Sequence, residues 1–102
     1  MINLTLVVHA DVKQVLADIL RDIAQVSDFM FTHVESHGFQ DEYDPELSAF
    51  DRVVGYTTHV RVDIIIEEQD VDDVLQALRC AECGLAGRGS YWVSPISNRG
   101  VL

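Results

Sequence analysis

Along the first nine positions apolar and polar side chains alternate: Ile2, Leu4, Leu6 and Val8 fall on one parity, Asn3, Thr5, Val7 and His9 on the other. A two-residue period predicts a strand with one fully apolar face. The period then changes. Val12, Val15, Leu16, Ile19, Leu20 and Ile23 recur at helical spacing while Lys13, Asp18, Arg21 and Asp22 take the other side, which predicts an amphipathic helix. Asp11, with Gln14 three residues on, has the form of an N-cap and its capping-box partner. Ser27 and Asp28 mark a turn before Phe29-Met30-Phe31-Thr32-His33-Val34, whose aromatic and β-branched content predicts a second strand.

From Gly38 to about Gly55 neither period holds. That stretch carries Asp41, Glu42, Asp44, Glu46 and Asp51 around Pro45 and is expected to form a long acidic loop, a feature that compact domains usually keep for function. A third strand follows, with Thr58, Val60, Val62, Ile64 and Ile66 on one face and His59, Arg61 and Asp63 on the other. Asp70 precedes Val71, Val74, Leu75 and Leu78, the spacing of a second amphipathic helix. Gly84, Gly87 and Gly89 punctuate the next connection. A fourth strand, Tyr91-Trp92-Val93, ends at Pro95, and the tail from Ser97 to Leu102 has no pattern.

The element order is therefore βαββαβ in a single domain spanning residues 1–102, with the acidic loop at about 38–55. Two amphipathic helices on one face of a four-stranded antiparallel sheet is the economical packing, an α+β ferredoxin-like fold. The other sheet face is expected to present Val7, Phe29, Phe31 and Ile65 beside His33, His59 and Arg61. Apolar side chains on an uncovered face make a patch too large for a comfortable monomer, so this face is expected to be buried by self-association.

Charge narrows the partners. Among 102 residues, seventeen acidic side chains against seven basic ones give a formal charge of −10. Neutralising phosphates needs clustered Lys and Arg, so nucleic acid is an unsuitable partner, as is an anionic membrane surface. No apolar run is long enough for membrane insertion, and Met1 leads straight into the first strand pattern rather than a signal peptide, which points to the cytoplasm. Cys80 and Cys83, the two cysteines, lie at the end of the second helical pattern and read as small packed residues rather than a disulfide framework. Three common uses of the fold fail on residues. A metal-chaperone Cys-x-x-Cys is missing from His9-Ala10-Asp11, the third strand lacks the aromatics of an RNA-binding sheet, and the arginine that an acylphosphatase-like site needs near the start of the first helix is absent, the first being Arg21 in mid-helix.

The stretch Cys83-Gly84-Leu85-Ala86-Gly87-Arg88-Gly89-Ser90-Tyr91-Trp92-Val93 resembles the PII signalling proteins, where Thr-Gly-x-Ile-Gly-Asp-Gly-Lys leads into the last strand. Val34-Glu35-Ser36-His37-Gly38-Phe39-Gln40 is similar to that family's Val-x-Gly-Phe-Gly-x-Gln run at the start of its long loop. The resemblance implies a PII-like homotrimer that senses a small ligand and controls a protein partner through its long loop. In a divergent group of this kind the implied role is in nitrogen regulation or control of a membrane metal-efflux transporter. Carried over by position, Gly84, Gly87, Arg88 and Gly89 would line a phosphate-binding loop, Gly38 and Gln40 would approach from a neighbour, and Arg99 would lie where the family has tail arginines. Glycine suits such a loop because the backbone can come close to an anion. Two positions depart from the family: Ser90 replaces its lysine and Arg88 its aspartate.

The runner-up is a trimeric CutA-like metal-binding protein using His33, His37 and His59. His33 and His37, four residues apart on a strand, are about 13 Å from one another, so an ion would need His59 or a symmetry copy. Nucleotide and divalent metal both stay open as ligands. No nucleophile stands beside a base, so binding rather than catalysis is expected.

Overall fold

A computed structural model describes residues 1–37, 57–80 and 89–102. Four strands, β1 (Ile2–His9), β2 (Phe29–Ser36), β3 (Thr57–Ile66) and β4 (Gly89–Pro95), form one antiparallel sheet in the order β2-β3-β1-β4. Two helices, α1 (Lys13–Asp22) and α2 (Val71–Cys80), connect them. This is the ferredoxin-like α+β arrangement that the periodicities predict. Among the described residues no helix is long and apolar enough to cross a membrane.

The register assigns every side chain to a face. Ile2, Leu4, Leu6 and Val8 of β1 lie opposite Ile66, Ile64, Val62 and Val60 of β3, and all eight are buried. Leu16, Ala17 and Leu20 of α1 and Val74, Leu75 and Leu78 of α2 close over them. The core is thus aliphatic and depends on two central strands that each devote a whole parity to it. Burying one such side chain contributes roughly 1.5–3 kcal/mol.

Several local expectations are corrected. Val15, expected in the buried stripe of α1, is exposed, and Ala17 takes its place under the sheet. The expected Asp11–Gln14 capping box does not form. The chain instead leaves β1 through a 3-10 turn, Ala10–Val12, capped by His9, whose ring Nδ1 accepts from the Asp11 N–H at 3.1 Å. Gln14 turns to Asp18, donating from Nε2 at 3.3 Å. An imidazole supplies here the acceptor that Ser, Thr, Asp or Asn usually provides. Before α2, Asp70 closes a second 3-10 turn, Glu68–Asp70, by donating its N–H to the Glu67 carbonyl at 3.0 Å. β4 runs further at both ends than Tyr91-Trp92-Val93.

The largest correction concerns β2. Phe29 pairs with Ile64, Phe31 with Val62 and His33 with Val60, so these three share the helix-covered face. Phe29 and Phe31 are half-buried against the core, their rings edge to face at 5.8 Å. They were expected on the open face. The segment has apolar residues on both parities, and a one-residue shift of phase exchanges the faces of a strand.

Gly89 has a packing reason of its own. A Cβ there would lie 2.7 Å from Val8 Cγ1 and 3.0 Å from the Val7 carbonyl oxygen. Val8 is buried and Val7 O is backbone, so neither yields easily. Gly89→Ala is expected to lower unfolding stability by about 1–3 kcal/mol in chemical denaturation; unchanged stability would mean that β4 does not sit against β1 as described.

Candidate functional site: the open face of the sheet

With both helices on one side, the other parity of each strand forms the second face. One row runs Trp92, Thr5, Asp63, Met30 across β4, β1, β3 and β2. Neighbouring rows hold Ser90, Val7, Arg61 and Thr32, then Asn3, Ile65 and Ser94, and at one end His9, His59 and Val34. Of the apolar open-face residues predicted, Val7 and Ile65 are there. Met30, 60% exposed, and Trp92, 43% exposed, are the large hydrophobic side chains that lie open.

At the centre stands a connected polar group. Asp63 Oδ1 accepts from Thr5 Oγ1 at 3.0 Å, from Asn3 Nδ2 at 3.2 Å and from Arg61 Nη2 at 3.2 Å, and Arg61 Nε reaches both carboxylate oxygens at 3.3 Å. The Arg61 guanidinium also lies 5.7 Å from the centre of the Trp92 ring, at cation–π distance. Thr5 is fully buried although it points away from the helices. Asn3 Oδ1 is buried without a donor among the described residues. Its amide orientation is fixed nonetheless, because reversal would set that oxygen against the carboxylate. Burial pushes the Asp63 carboxyl up, but hydrogen bonds from Arg61, Asn3 and Thr5 together with the Arg61 charge outweigh it. The net result lies below the ordinary 3.8. Asp63 is an anion held in place by three neighbours.

The four histidines of the chain all fall at the sheet end where β1 and β2 finish and β3 and β4 begin, but they divide between faces. His33, on the helix side, has its Nε2 3.2 Å from Lys13 Nζ. His37 lies just past β2 and meets Glu35 at 3.2 Å. His59 is on the open face, its ring 5.9 Å from that of His9. The expected grouping of His33 with His59 on one face is therefore overturned by the register: they pair with Val60 and Val34 respectively and point to opposite sides. Among the described residues no three His, Cys, Asp or Glu side chains converge as a metal group. Cys80 is exposed at the end of α2, with a free thiol.

Of the ligand residues carried over by resemblance, Gly38, Gln40, Gly84, Gly87 and Arg88 lie outside the described residues, as do Cys83 and the acidic stretch. Gly89 and Arg99 are described and lie far apart. Gly89 pairs with Val8 at one end of β1, whereas Arg99 Nη1 contacts Met1 Sδ at 3.7 Å at the other. Seven residues of strand separate the two ends, about 23 Å. The flanks of the stretches outside the described residues share one end of the sheet: Ser36 pairs with Thr57 at the end where Gly89 pairs with Val8.

The anionic state of Asp63 gives a pH signature. A carboxyl lowered by folding stabilises fully above its ordinary value, and that contribution is lost as pH falls through the lower, folded value. Wild-type stability is therefore expected to fall below pH 3.8 in a component that Asp63→Asn lacks, so the gap between their denaturation curves closes with acid; parallel curves would contradict the network. At neutral pH Asp63→Ala strands the buried Thr5 hydroxyl and is expected to cost about 1–3 kcal/mol.

Comparison with known proteins matches this architecture. A DUF3240 family protein from Shewanella baltica OS155, known from a crystal structure, superimposes with a TM-score of 0.75 at 20% identity, over 99% of this chain and 94% of that one. At that identity the likeness speaks for the fold. The family model described as "Protein of unknown function (DUF3240)" matches residues 1–102. The chain belongs to the DUF3240 family.

Proposed function

We propose that this protein is a PII-like regulator: a cytoplasmic homotrimer that binds a small ligand and passes the signal to a protein partner, without catalysing a reaction. The observation that carries the reading is the sheet face that the two described helices leave uncovered, where Trp92 and Met30 lie open beside the Arg61–Asp63 network. Aromatic and arginine side chains arranged in this way are typical anchors of protein interfaces. Copies meeting through that face would place the sheet ends of neighbouring subunits side by side.

Two further points support a ligand site between subunits. The glycine stretch and the acidic stretch both attach at one end of the sheet, through Gly89 and through Ser36 and Thr57. Gly89 and Arg99, separated at opposite ends of β1 within one subunit, would be brought together by a boundary between copies. The ligand class that fits glycine backbone and Arg88 is an anionic phosphate compound such as a nucleotide. A transporter, as in metal efflux, or an enzyme of nitrogen regulation is the kind of partner in view. The CutA-like grouping of His33, His37 and His59 gains no support, because two of those residues face opposite ways.

Calorimetric titration with ATP, ADP and a cyclic nucleotide tests the reading. Heat from at least one nucleotide is expected, abolished by Gly87→Ala while circular dichroism confirms that the variant is folded. Absence of heat with every nucleotide, or Zn²⁺ heat lost on His33→Ala, would overturn it.

A further inference from the structure

Lys13 is the only lysine of the chain, in a sequence with seventeen acidic residues. Among the described residues it nevertheless pairs with no carboxylate. Its ammonium meets the Nε2 of His33 at 3.2 Å and lies 5.5 Å from the centre of the Phe31 ring. We propose that this pair is an acylation site: the Lys13 amine takes an acyl group from an acyl phosphate, with the His33 imidazole as general base. The proposal does not rest on the regulatory reading, nor on what covers the open face, because both residues lie on the helix side of the sheet.

The fold places each member of the group. Phe31 and His33 stand on β2 opposite Val62 and Val60, which are fully buried, so both face the helix layer. Phe31 is packed against the core and does not drift. Lys13 is the first residue of α1 and arrives from β1 through the 3-10 turn Ala10–Val12. An ammonium has donors only, so Nε2 of His33 accepts and Nδ1 carries the ring proton. The opening turn of a helix is the positive end of its dipole, where a cation finds no support. Glu35, two residues along on the same side of β2, is engaged by His37 at 3.2 Å. The proton that Lys13 must shed before it can attack thus has an acceptor already in hydrogen-bond contact, and no carboxylate holds it back.

The step balances with these groups. A proton passes from Lys13 Nζ to His33 Nε2, and the freed lone pair forms a bond to the acyl carbon. The bond from that carbon to the phosphate oxygen breaks, its electron pair going to phosphate. Of the three ammonium protons, one goes to His33, one leaves with the phosphate and one stays on the new amide. Contact between nucleophile and base within hydrogen-bond distance is the geometry that general base catalysis requires. An acyl phosphate is the fitting donor class because its phosphate leaves without help from an acidic side chain. The amide carries no charge, so the modification removes the chain's one lysine cation and with it the contact to the Phe31 ring.

Incubating the intact protein with acetyl phosphate, and locating the acetyl group by peptide mass spectrometry, tests the proposal. The urea-unfolded chain is the reference for an unassisted Lys13. In the folded protein Lys13 is expected to acetylate at least tenfold faster than in that reference. His33→Gln should fall to the reference rate while circular dichroism shows it folded, and His37→Gln should react like the wild type. The proposal is overturned if folded and unfolded chains react at the same rate, if folded His33→Gln keeps the wild-type rate, or if the gain follows His37 instead. Should His33→Gln fail to fold, the ratio of folded to unfolded wild-type rates alone decides.

Discussion

The antiparallel pairing of β1 with β3 is the constraint from which the rest of the molecule follows. These two strands are central in the sheet, and their register places Leu4 against Ile64 and Leu6 against Val62 on one side. The same register places Thr5 against Asp63 and His9 against His59 on the other. Sliding one strand by a single residue would drive Asp63 and Arg61 into the aliphatic core, at a cost no other contact could offset. Core and open face are two readouts of one alignment.

The fold was legible because its signals were local and mutually consistent. Alternation in β1 and β3 and helical spacing in α1 and α2 each point to one element, and their order along the chain leaves few ways to join them. β2 was the exception. Phe29, Met30, Phe31 and Val34 put apolar side chains on both parities, so only pairing with β3, decided by contacts distant in sequence, could set its phase. His9 escaped notice as a cap for a chemical reason: a ring nitrogen can accept like a hydroxyl or carboxylate, but composition rules do not look for it there.

The candidate site was legible in part. Arg61 and Asp63 stand two apart on a strand, and their shared face could be read directly. Their link to Thr5 and Trp92 could not, since it joins three strands whose register is set only on folding. The His9–His59 pair was hidden for the same reason, its members being fifty residues apart in the chain. The glycine and acidic stretches were visible by composition, and the structure adds that their flanks attach at one end of the sheet. Family membership then gives the chain relatives of the same fold and leaves the functional argument to the face itself.

That argument turns on what covers Trp92, Met30 and the Arg61–Asp63 group in solution. A sheet face that the described helices leave uncovered either meets a partner or leaves aromatic surface in water, and self-association satisfies the requirement with a single chain. Sedimentation equilibrium at micromolar concentration measures this directly. The account predicts a mass three times that of the 11.4 kDa chain, shifting toward the single chain in Trp92→Glu; a wild-type protein sedimenting as a lone chain would contradict it.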